Sequence, residues 1–215
     1  APGSHGPHLF RMLVGESGEV ALRTELVIRF DYGSIIPWVR RTADGLRAVA
    51  GPDTLLLFSP VELHGENMHT CGEFVLRAGE RVGFELAYSR TYDTPPSRSD
   101  IEASLRETEQ HWDKWAKRCH YEGEWREAVV RSMITLKALT YAPTGGIVAA
   151  ATTSLPEKLG GVRNWDYRYC WLRDATFTLY ALVNGGYTDE ALAWREWLVN
   201  AVAGRPADLN IMYGL

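Results

Sequence analysis

The sequence predicts a multidomain α and β chain, with an antiparallel strand region leading into a helical one. Three observations carry this. From residue 8 to about 90, short apolar runs are broken by Gly, Pro and Asp at the roughly 8–12-residue spacing of sandwiches and barrels. Pro95-Pro96-Ser97 then interrupts the chain, and paired prolines cannot continue a hydrogen-bonded ladder. Beyond residue 100 the apolar period becomes helical.

The strands come first. Val20 to Phe30 alternates and then turns apolar through Leu26-Val27-Ile28. Val39 to Ala43 and Leu46 to Val49 flank Asp44-Gly45, a pair suited to a tight hairpin turn. Thr54–Phe58, Glu73–Leu76 and Arg81–Tyr88 are further short strands. No crossover-length helix separates them, so antiparallel pairing is expected. Next, Ile101, Leu105, Thr108, Trp112, Trp115 and Cys119 lie on one helical face, with Ser99 or Asp100 as N-cap. Trp125, Val129, Ser132, Leu136 and Leu139 repeat the pattern until Pro143-Thr144-Gly145-Gly146 stops it. A third helix spans Ala175 to Val183 and closes at Gly185-Gly186. A fourth begins at a Thr188 cap, carries Asp189 and Glu190 in its first turn, and ends at Gly204 and Pro206. Four helices on short loops imply all-α packing. Seven of the eight tryptophans lie after residue 100, so flat apolar side chains concentrate there.

Composition removes several function classes. The 215 residues are 46% hydrophobic and 23% charged, proportions of an ordinary globular chain rather than a disordered one. A net charge of −4 argues against a basic nucleic-acid surface and a polybasic membrane patch. No apolar run approaches the roughly 20 residues of a membrane helix. Cys71, Cys119 and Cys170 are odd in number and widely spaced, which points to a reducing, cytoplasmic setting. The stretch Ala1 to Gly6 has no initiator Met and no basic-then-apolar leader pattern, and Gly3-Ser4-His5 reads equally as a cloning remnant.

One segment concentrates chemistry: residues 160–174, from Gly160-Gly161 to Arg173-Asp174. Trp165, Tyr167, Tyr169 and Trp171 recur every second residue, which puts all four on one side of an extended segment, with Asp166 and Arg168 on the other. A pyranose ring has an apolar C–H face and a rim of hydroxyls. Aromatic rings match the face. The Arg173 donor fork beside the acceptor-only Asp174 carboxylate matches the rim, because hydroxyls both donate and accept. The plainer reading is that aromatic-dense segments form core and that Arg-Asp neighbours form an ion pair.

The run Arg163-Asn164-Trp165-Asp166-Tyr167-Arg168-Tyr169-Cys170-Trp171-Leu172-Arg173-Asp174-Ala175 resembles the signature of glycoside hydrolase family 15, which includes glucoamylases, glucodextranases and a bacterial trehalase branch. The stretches 136–141, 143–150, 152–157 and 208–215 resemble that branch, as does Glu25 to Gly33 in the strand region. The resemblance implies a partial N-terminal β-sandwich (1–95), a linker helix (96–123) and the first helices of an (α/α)6 barrel (124–215). It further implies hydrolysis of α-glucosides with inversion, α,α-trehalose being the expected substrate. Arg173 and Asp174 then hold glucose hydroxyls, and Tyr167, Trp171 and Tyr169 wall the pocket. Trp165, with Asn164 and Asp166, supports it. In the family the two catalytic carboxylates lie further along the barrel, so the expectation for these 215 residues is a substrate pocket without its acid and base, and no catalytic residue is assigned. No cofactor is expected.

Other features are weaker. His64, His69 and Cys71 lie close in sequence, but a fourth zinc ligand is missing and they read as loop residues, so no metal is assigned. Adjacent helical residues do not face each other, which argues against a Cys119-His120 nucleophile. Gly145-Gly146 and Gly160-Gly161 lack the lysine-serine pattern of a phosphate loop. Glu157 and Asp166 are candidate carboxylates without an evident partner. The alternatives to a trehalase are a glucoamylase- or glucodextranase-type exo-hydrolase of α-glucans, binding maltooligosaccharide, a non-catalytic carbohydrate-binding protein, and a structural piece with unpartnered apolar helix faces.

Overall fold

The computed structural model describes residues 6–202 and 204–215, so the segment 1–5 weighed for a leader lies outside the described residues. The chain divides into two compact units, residues 1–109 and 110–215.

Among its described residues the first unit holds eight strands: β1 (His8–Val14), β2 (Glu19–Leu26), β3 (Trp38–Thr42), β4 (Gly45–Ala50), β5 (Asp53–Phe58), β6 (His64–Glu66), β7 (His69–Arg77) and β8 (Arg81–Arg90). They form a five-stranded sheet, β1-β8-β5-β4-β3, and a three-stranded sheet, β2-β7-β6. Every pairing among them is antiparallel. Alternation along β4 buries Leu46, Ala48 and Ala50. Leu46, Ala48, Leu57 and Phe84 of one sheet meet Ile28, Leu63, Leu26 and Phe74 of the other side in a shared core. Two sheets closing on one apolar layer make a sandwich arrangement.

Two strand-region expectations shift. The β3–β4 hairpin forms, but its loop is Ala43-Asp44, with Thr42 opposite Gly45. Gly45 heads β4 at φ +148°, and a Cβ there would lie 1.9 Å from the Leu57 carbonyl oxygen. Glycine thus serves a close backbone approach rather than the turn itself. His64 and His69 are not loop residues: they sit on β6 and β7, with His64 opposite Cys71 and His69 opposite Glu66.

The unit does not stop at Pro95-Pro96. Glu85 of β8 is fully buried, paired with His8 at 2.7 Å, and it accepts the Ser99 N–H and hydroxyl at 2.8 Å each. Ile101 packs over Gly83, where any Cβ would meet its methyl at 2.8 Å. These contacts fasten the segment after the prolines onto the sheet. They also leave Ser99 occupied, so Asp100 caps α1 (Ile101–Ala116) through the Ala103 N–H at 3.0 Å. The units divide within this helix.

The second unit contains α2 (Arg126–Ala138), α3 (Leu172–Asn184) and α4 (Thr188–Ala201), plus a two-stranded pairing of β9 (Cys170–Trp171) with β10 (Met212–Tyr213). Trp115, Cys119, Leu182 and Tyr187 form one core, joined by Val129, Met133 and Leu136 of α2. Trp115 stacks on Tyr187 with centroids 3.9 Å apart. A second core gathers Ile147, Cys170, Ala175 and Trp197. Thr188 opens α4 as its first helical residue, with Tyr187 at the N-cap, so the expected hydroxyl cap is absent. Instead Glu190 is buried and accepts the Trp115 indole N–H at 2.7 Å, with Lys137 at 3.3 Å. Burial pushes its pKa up, but the indole and Lys137 outweigh that and hold the carboxyl below its usual range.

Candidate functional site

The aromatic segment enters α3 along a hydrogen-bonded path. Ala149 and Ala150 N–H donate to the Tyr169 and Tyr167 carbonyls, Ser154 N–H donates to Trp165, and Thr153 bridges Asp166. The stretch 149–154 thus runs antiparallel beside 165–169. Beyond it, β9 pairs with β10, and Leu172 N–H reaches the Ile211 carbonyl at 3.1 Å. Cys170 anchors the segment from below. It is fully buried, and that burial pushes its thiol pKa up.

Strict two-residue alternation does not survive. The chain turns at Tyr167-Arg168. The Asp166 carboxylate accepts the Arg168 N–H at 3.0 Å, closing an Asx turn, and also takes Arg168 Nε and Nη2 at 3.0 Å each. Three of the four rings still come together. Trp171 meets Trp165 edge-on at 6.1 Å and 88°, and Tyr167 at 5.7 Å and 66°. Tyr169, beyond the turn, makes none of these ring contacts. Its C=O accepts the Ala149 N–H at 3.1 Å, and its side chain is exposed.

Arg173 and Asp174 occupy the first turn of α3. Arg173 donates from Nε and Nη2 to Asp174 Oδ2 at 3.2 and 3.0 Å, and its guanidinium carbon lies 5.9 Å from the Trp171 ring centroid. Its side chain is 67% exposed and that of Asp174 33%, so neither is spent on core packing. The result is a half-exposed aromatic surface bordered by an accessible donor fork and carboxylate. Such a surface can stack an apolar ring face and bind hydroxyls at its edge.

Glu157, without a partner in the sequence reading, accepts the Trp165 indole N–H at 3.2 Å and pairs with Arg163 at 3.3 Å. Asp166 and Arg168 also prove more engaged than alternation alone implied.

In the first unit, a cavity of about 440 Å³ lies where β3 and β6 form free edges, lined among others by Val39, Arg41, Leu63 and His64. His69 is paired with Glu25, and Arg23 donates to Cys71 Sγ at 3.3 Å. Among the described residues, no three His, Cys, Asp or Glu side chains gather as a metal-binding group.

A strand unit is thus followed by a helical unit whose aromatic loop delivers an Arg-Asp pair to the start of α3. Residues 123–215 match the family described as Glycosyl hydrolases family 15. A trehalase of Thermoplasma acidophilum is 31% identical over 97% of this chain and 36% of its own length. A trehalase of Mycobacterium tuberculosis is 31% identical over 96% of this chain and 32% of its own. A trehalase of Mycolicibacterium smegmatis is 35% identical over 79% of this chain and 26% of its own. The chain therefore spans about a third or less of the length of these curated relatives. No solved structure matches the chain. Residues 123–215 of the helical unit thus match glycosyl hydrolase family 15, and the similarity to trehalases runs along nearly all of the chain, the strand unit included.

Proposed function

We propose that the full-length protein is an inverting α,α-trehalase that splits trehalose into two glucose molecules. In this reading residues 1–95 are part of a β-sandwich, 96–123 a linker helix, and 124–215 the opening of an (α/α)6 barrel. Trp171 and Tyr167 wall the glucose pocket, Trp165 buttresses them, and Tyr169 contributes from the margin. Arg173 donates to one sugar hydroxyl while Asp174 accepts from its neighbour. The general acid and base, which inversion places about 6.5–9.5 Å apart, come from the barrel portion beyond Leu215. The setting is cytoplasmic, consistent with three buried, unpaired cysteines.

The observation that carries the reading is the packed Trp165–Tyr167–Trp171 cluster beside the accessible Arg173–Asp174 pair, in a chain whose relatives are named trehalases. Proton NMR of the first turnovers tests it. Inversion at one bond of α,α-trehalose releases one β-glucose and leaves the other as α-glucose, so the full-length protein should give the two anomers in equal initial amounts. Purely α product would contradict inversion. Turnover of maltooligosaccharides but not trehalose would move the protein to the glucoamylase type, and trehalose binding without turnover would make it a binding protein.

A further inference from the structure

We infer that Asp166 is a positioning residue that sets the Trp171 wall of the sugar site and, through the indole face, the Arg173 fork. This rests on the glucose-site reading above and deepens it.

Asp166 is the point where four constraints meet. Its backbone bridges Thr153, fixing it to the neighbouring stretch. Its carboxylate accepts the Arg168 N–H at 3.0 Å and so closes the turn that carries Tyr167. The same carboxylate grips the Arg168 guanidinium through both oxygens, at 3.0 Å each. Its main-chain oxygen accepts the Trp171 indole N–H at 2.9 Å. The direction of that carbonyl is a property of the turn, and the turn is a property of the carboxylate. The Trp171 ring, so held, offers an edge contact to Tyr167 and Trp165 and lies 5.9 Å from the Arg173 guanidinium carbon. The Asp166 side chain is only 20% exposed, against 67% for Arg173, which suits a support rather than a sugar contact. A one-carbon arm is needed. Asn at this place keeps an oxygen for the Arg168 N–H, whereas Glu keeps the charge but its longer arm no longer closes the ring of an Asx turn.

Asp166→Asn, Asp166→Glu and Asp166→Ala in the full-length protein separate geometry from charge. With trehalose, kcat/KM should fall at least fivefold in D166A and D166E, mostly through KM, and stay within threefold of the parent in D166N. A smaller loss in D166E, which keeps the charge and guards against a D166A that fails to fold, overturns the inference. So does a D166N as impaired as D166E. A second readout is independent of turnover. With the tryptophan indoles labelled with nitrogen-15, exchange of the Trp171 indole N–H should speed up at least tenfold in D166E but not in D166N. Unchanged exchange in D166E overturns the inference even if the parent protein hydrolyses trehalose. Faster exchange in a protein that processes no α-glucoside sustains the positioning role while the trehalase reading falls.

Discussion

The two units bury their chains by different means. In the strand unit, main-chain ladders satisfy the backbone, and side chains alternate between core and solvent, as along β4. In the helical unit the helices satisfy their own backbones, but the 33 residues between α2 and α3 lack regular structure apart from β9. There, side-chain oxygens take over: Asp166 and Ser154 accept N–H groups that a ladder would otherwise engage. The difference teaches where function can sit. A ladder fixes side chains by register, two faces at a time. Residues 165–171 combine both, a few backbone bonds to 149–154 and β10 with side-chain bonds from Asp166 and Ser154 that turn the chain between them.

The sharpest break of this comparison is Arg173→Leu in the full-length protein. A hydrogen bond from a charged donor is worth about 1.5–3 kcal/mol, so losing the one Arg173 gives a sugar hydroxyl should lower kcat/KM by about a hundredfold. Arg173 is 67% exposed, so the melting temperature should hold within about 2 °C. Unimpaired turnover would remove the pair from the sugar site. The converse change is Leu46→Ala. Leu46 is 2% exposed in the sandwich core, and its truncation should cost about 3 kcal/mol in chemical denaturation while leaving KM for trehalose unaltered. A shifted KM with intact stability would mean that the two units do not divide the work as described.

How much of this was readable follows the same division. The strand unit yielded to period-two alternation and turn residues because ladder register and hydrophobic patterning agree there. The hairpin loop slipped by one residue, since Gly45 answers to the Leu57 carbonyl rather than to turn geometry. β6 was missed because His64-Gly65-Glu66 is exposed on both faces and carries no apolar signal. The helices were found from their spacing, but Thr188 lost its cap role because α4 begins one residue earlier than a hydroxyl could use. In the site, composition located the segment and the family resemblance assigned its pair. Alternation misplaced Tyr169, because the Asp166 side chain bends the chain after Tyr167. Local side-chain bonds of this sort compete with periodicity and leave little trace in it.

Glu190 offers a smaller and pH-dependent way to separate the units. Its carboxyl is held below the ordinary value of 4.5 in the folded chain. A group with a depressed folded pKa contributes stability above its unfolded value, and that contribution is lost as pH falls through the folded one. Denaturation between pH 7 and pH 3 should therefore show the helical unit weakening below about pH 4.5. Glu190→Gln should cost about 2 kcal/mol at pH 7, since a buried charged acceptor for Trp115 and Lys137 is lost, and should flatten the acid limb. An unchanged acid limb would assign the pH dependence to other carboxylates.

The smallest expected effect is the most discriminating for the site. The four aromatics were equivalent by spacing, and the turn at Tyr167-Arg168 makes them unequal. Trp171 is bound by one indole hydrogen bond and two ring contacts. Tyr169 has its main chain in the ladder to Ala149 and a side chain that is 36% exposed. Tyr169→Ala in the full-length protein should therefore raise KM for trehalose less than about threefold, whereas Trp171→Ala, which also removes the apolar area of a large ring, should raise it by about tenfold. Equal losses in the two variants would restore the period-two picture, in which all four rings face the sugar. A larger loss at Tyr169 would mean that the substrate approaches from the far side of the turn, where neither Trp165 nor Tyr167 can reach it.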